Sequence, residues 1–78
     1  MIYLIDYDWK QGRLVSLSRY AETDRVAAQD ARLRLELDLF DSNQEREVVL
    51  LQADSEAALR QTHRRYFLAA DAELAAAH

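Results

Sequence analysis

The 78-residue chain contains no cysteine, no proline and a single glycine. Without cysteine there are no disulfides, thiolate zinc sites, iron–sulfur clusters or cysteine nucleophiles, and the composition agrees with a reducing cytoplasm. The lone Gly12 stands in Asp8-Trp9-Lys10-Gln11-Gly12, between two segments rich in aromatic and aliphatic side chains. That context assigns it to a hairpin turn rather than to a phosphate-binding loop. Long apolar runs are also missing. The longest uncharged stretch, Val48 to Ala53, is far shorter than the roughly 20 residues a membrane helix needs. Asp6 and Asp8 interrupt the apolar N-terminal run, so no secretory signal is expected. A soluble, cytoplasmic chain without a membrane partner is the resulting expectation.

Ten Lys or Arg stand against fourteen Asp or Glu, a formal charge of −4. Nucleic acid or an anionic membrane would therefore have to be met by a local basic patch. Half the residues are apolar, but thirteen of those are Ala, which leaves few large side chains for an interior. A chain of this size buries only about 60 to 65% of its unfolded surface, and oligomerisation is a common further source of stability. Self-association is expected.

Residues Ile2 to Trp9 and Arg13 to Tyr20 read as a β-hairpin. Tyr3, Ile5, Tyr7 and Trp9 line one face of the first strand, and Ile2, Leu4, Asp6 and Asp8 the other. The strand is thus apolar on both faces at its start, as suits a central strand. Asp24 or Thr23 can cap a helix from about Arg25 to Asp41. Strict alternation from Arg32 to Leu39 has the period of a strand, yet Leu, Ala, Arg and Glu favour a helix, and no β-branched residue occurs from Ala27 to Asn43. At 100° per residue this helix carries two apolar stripes, Val26, Leu33, Leu37 and Phe40 on one side and Ala28, Ala31, Leu35 and Leu39 on the other. A helix of this kind is expected to be sandwiched, one stripe on the sheet and the other on a second helix or a second subunit.

Glu45 to Ala53 is the third strand, with the run Val48-Val49-Leu50-Leu51 expected to be buried on both faces. Asp54 or Ser55 then caps a second helix from Glu56 to at least Phe67. The order ββαβα, with a crossover from the second strand to the third, predicts an α+β two-layer sandwich. Its three-stranded mixed sheet has order 2-1-3, both helices lie on one face, and the other sheet face is bare. Residues 1–70 form a single domain and residues 71–78 an Ala-rich tail, helical or frayed.

Three chemistries can be placed on this frame. Asp6 and Asp8, two apart on one strand face, are weak candidates for a divalent cation and, with His63, for a small metal-dependent hydrolase. Arg60, Arg64 and Arg65, interleaved with His63, Tyr66 and Phe67, form the only basic segment, a candidate nucleic-acid contact through guanidinium and aromatic groups. Trp9 beside the turn, with Leu35 and Leu39 on the long helix, are candidates for a protein interface. No complete catalytic set, metal site or cofactor motif is present. The preferred expectation is a non-enzymatic homodimer that binds another protein as a regulatory or accessory module.

Overall fold

The computed structural model describes residues 1–68, so the expectations for the Ala-rich tail fall outside the described residues. Three strands, β1 (Ile2–Asp8), β2 (Arg13–Tyr20) and β3 (Glu47–Gln52), and two helices, α1 (Arg25–Asp41) and α2 (Glu56–Thr62), follow in the order ββαβα. The sheet order is β2-β1-β3, in an α+β arrangement, as the sequence predicts. Two finer points differ from expectation. Both pairings of β1 are antiparallel, so the sheet is not mixed; β2 and β3 run in the same direction but never touch. The helices also lie on opposite faces rather than together.

The strand parity accounts for that separation. Tyr3, Ile5 and Tyr7 point to one face, where they pack with Leu14, Leu17, Val49 and Leu51 and with Leu59, Tyr66 and Phe67 from α2 and the turn after it. Ile2, Leu4 and Asp6 point to the other face and are equally buried. There α1 covers them. Arg25 Nη2 donates to Gln52 Oε1 at 3.1 Å, and Gln52 is the β3 residue paired with Ile2. Leu39, at the far end of α1, shares a groove with Val48, the residue paired with Asp6. A first strand that is apolar on both faces needs a helix on each, so no sheet face is left bare.

A β-bulge makes the hairpin fit. Asp6 pairs with Ser16 but Tyr7 pairs with Leu14, leaving Val15 as the extra residue on β2. The slip brings Leu14 and Leu17, three apart in sequence, to the same face. Gly12 closes the turn with φ of 67°, where a side chain would be strained. Asp8 Oδ1 accepts from the backbone N–H groups of Lys10 and Gln11 at 3.0 and 3.1 Å, fixing the turn from its first residue.

Helix α1 has the predicted bounds, but Asp24 makes no side-chain capping bond; a short 3₁₀ turn, Glu22–Asp24, leads into it instead. Its C-terminus is closed by Asn43 in the left-handed region, with Asn43 and Gln44 N–H donating to the Phe40 and Leu39 carbonyls. Ser55 caps α2 by accepting from Ala58 N–H at 3.1 Å. This second helix stops at Thr62, short of the expected Phe67, because His63 leaves helical geometry and a 3₁₀ turn, Arg64–Tyr66, follows. In an unbroken helix adjacent residues diverge by about 100°. The break lets Tyr66 and Phe67 both enter the core. The Val48–Leu51 run is only half-buried, since β3 lies at a sheet edge.

Candidate functional site

The two stripes of α1 have different fates. Ala28 and Leu39 are buried, and Ala31 and Leu35 partly so. Short Ala side chains let the helix backbone approach the sheet closely on this side. The other stripe has nothing over it among the described residues. Val26 is 71% exposed, Leu33 55%, Leu37 53% and Phe40 82%. Leu39 is therefore core, and Leu35 is partly covered within the chain; the surface free for contact is the opposite stripe. This corrects the expectation that Leu35 and Leu39 form the contact.

Trp9 does sit in solvent, 53% exposed, with Lys10 Nζ 5.6 Å from its ring centroid. With Phe40, Leu39, Val48 and Arg46 it lines a groove of about 560 Å³. Phe40 and Trp9 extend the apolar line of α1 toward the hairpin. Four large apolar side chains in a row on a helix, continued by an aromatic residue at one end, form a surface of the kind that marks a protein contact.

Arg46, which lines this groove, pairs with Asp6. Asp6 is buried, and Arg46 Nε approaches its Oδ1 at 3.2 Å without the alignment of a hydrogen bond. Burial raises the Asp6 pKa from its ordinary value, Asp8 adds to the rise, and Arg46 only partly offsets it. Asp8 itself is engaged in the hairpin turn. His63 lies beside Tyr66, on the sheet face opposite Asp6, with ring centroids 6.4 Å apart. The three residues proposed for a metal-dependent hydrolase thus do not converge, and among the described residues no group of three or more His, Asp or Glu could hold a metal ion.

The basic segment is largely engaged in packing. Arg60 lies over the Phe67 ring, 4.6 Å from its centroid, and 3.8 Å from Glu56 one turn earlier on α2. Arg65 stacks on Tyr66 at 4.1 Å and bonds to Glu47 of β3, while Arg64 is exposed. Tyr66 donates to the same Glu47 oxygen and meets Tyr7 edge-on at 5.2 Å. Burial first, and the Glu47 bond second, push the Tyr66 hydroxyl up to about 12. Glu47 is held below the usual carboxylate range chiefly by the Tyr66 hydroxyl. Of these residues, Arg65 and Tyr66 fasten the turn after α2 to β3 through Glu47. Glu47 was not among the sequence candidates, although it is the acid that shares a face with Val49 and Leu51 on β3.

Compared with family models, with curated proteins and with solved structures, the chain shows no match. Among the described residues no helix is long and apolar enough to cross a membrane.

Proposed function

We propose that the chain is a non-enzymatic, homodimeric protein-binding module, a regulatory or accessory subunit working in the cytoplasm, and that its contact surface is the outer face of α1. The observation that carries this reading is the line Val26, Leu33, Leu37 and Phe40, exposed on a helix whose opposite stripe is already used against the sheet. Desolvating that line stabilises association by about 25 cal/mol per Å² of apolar surface removed from water, before the costs of ordering. The absence of cysteine accords with a reducing compartment. Sedimentation velocity tests the reading: a dimer at tens of micromolar supports it, and a monomer over that range rejects it.

The nucleic-acid reading gains no comparable observation. Arg60 and Arg65 lie against Glu56 and Glu47, and the charge they would offer a phosphate is partly neutralised.

A further inference from the structure

We infer that two copies of the chain associate through their α1 helices, antiparallel, about a two-fold axis passing beside Leu33, so that Val26 of one copy packs on Phe40 of the other. The inference rests on the homodimeric reading above and adds the contact and its orientation.

Self-complementarity is the first argument. Val26, Leu33 and Phe40 recur at intervals of seven on the exposed face, with Leu37 filling the turn between the last two. Each interval rises about 10 Å along the helix, so the three form a nearly straight line with Leu33 at its midpoint. A two-fold axis there sets Leu33 against its own copy and matches the small Val26 with the large Phe40 at both ends. The separation of the helices is then the same at each end. A parallel pair would oppose Phe40 to Phe40 at one end and Val26 to Val26 at the other, wedging the helices apart. It would also align their dipoles unfavourably, whereas the antiparallel pair sets the positive end of one beside the negative end of the other.

Charge complementarity is the second. Taking about 100° per residue from Leu33, Asp30 and Glu36 lie about 60° to either side of the stripe, and Arg34 and Arg32 about 100° to either side. Each flank therefore carries one acid near the stripe and one arginine just outside it. The proposed axis brings each flank against the same flank of the second copy. Asp30 then meets Arg34, about a residue from the exact centre in one direction, and Arg32 meets Glu36, about a residue from it in the other. Asp30, Arg32 and Arg34 are exposed and Glu36 is half-buried, and Arg32 already reaches its own Glu36 at 2.8 Å, so its guanidinium is held at the rim where a second carboxylate can share it. One axis satisfies both flanks and the apolar line together.

The fold supports this occupant over the sheet edges. Helix α1 is an outermost element, its inner stripe fixed on the sheet, so the outer stripe is presented without rearrangement of the chain.

The chain's lack of cysteine makes the test direct. Val26→Cys and Phe40→Cys variants are oxidised singly and as a mixture, at concentrations chosen by first measuring the unmodified chain by sedimentation. The expected result is a disulfide-linked dimer from the mixture and little from either variant alone. Linked dimers from each variant alone mark a parallel pair and overturn the orientation. A dimer by sedimentation that gives no cross-link in any arm, and that survives Leu33→Asp, shows that the contact lies elsewhere; it overturns this inference while leaving the homodimer standing. A monomer by sedimentation overturns both. Leu33 is exposed in the single chain, so Leu33→Asp is expected to keep its circular dichroism spectrum while weakening association at least about tenfold.

Discussion

Tyr66 donates its phenolic hydrogen to Glu47, nineteen positions away in sequence, and Arg65 reaches the same carboxylate oxygen. Arg65 Nη2 also lies 2.6 Å from the Tyr66 hydroxyl, so three side chains from β3 and the turn after α2 converge on one point. The arrangement holds Tyr66 neutral and Glu47 ionised. Titration of the tyrosines by ultraviolet absorbance is expected to show one of them ionising near 12. In Glu47→Gln that group moves down toward its ordinary value but keeps the part of the rise that comes from burial.

The same triad sets how stability depends on pH. Glu47 is held below its usual range when folded, so its contribution is present above that range and is lost as pH falls through the folded value. Tyr66 is raised when folded, so its contribution is complete below the ordinary tyrosine value of 10.0 and is lost as pH climbs toward about 12. Thermal melts across pH should show both limbs in the unmodified chain. In Tyr66→Phe the alkaline limb is expected to shrink.

The buried Asp6 and the half-buried Arg46 make a pair whose geometry is poor for a hydrogen bond. Arg46→Met leaves a buried carboxylate alone and is expected to cost about 3 kcal/mol at neutral pH. The loss should diminish as the buffer is acidified, because Asp6 then takes a proton and the buried charge disappears. The double change Asp6→Leu with Arg46→Met is expected to match or exceed the unmodified stability, since apolar packing of similar size replaces two desolvated charges. Chemical denaturation of the three proteins checks the pattern, and a double variant less stable than Arg46→Met alone contradicts it.

Leu59 and Phe67 are fully buried on the face opposite α1. Leu59→Ala should cost about 2 to 5 kcal/mol and Phe67→Ala about 3 to 5. Either is a large part of what so short a chain holds in total. Loss of a cooperative melting transition is the expected readout.

Trp9 is the only tryptophan and stands beside Phe40, at the edge of the proposed contact. Its emission is expected to shift to shorter wavelength as concentration rises through the dimerisation range, and to stay fixed in Leu33→Asp. A spectrum independent of concentration in the dimerising chain would place Trp9 outside the contact.

The legible parts of this fold are those governed by local chemistry. Gly12 and Asp8 mark the hairpin, Asp54-Ser55 marks a helix start, and the crossover from the second strand to the third leaves β1 as the middle strand. Tyr66 and Phe67 suit a helix by residue type, and only the core on the sheet explains why the chain breaks at His63 to bury both. Both stripes of α1 are visible in the sequence, but taking Leu35 and Leu39 as the contact turns the wrong one outward. The deciding signal was Ala28 and Ala31, whose small side chains favour close approach to a sheet, over Phe40, which would hold the helix away. The Glu47 clamp escaped notice because its partners lie in a different element, and no spacing rule links them.

The extra residue at Val15 bears on how copies of this chain can meet. A three-stranded sheet has two open borders, each with backbone groups able to recruit a further strand and so begin an unlimited stack. On the β2 border the bulge breaks the regular rhythm of those groups, and Arg13 and Arg19 bracket it with like charge. Growth strand upon strand is thereby discouraged on that side. Assembly through a helix, by contrast, ends after two.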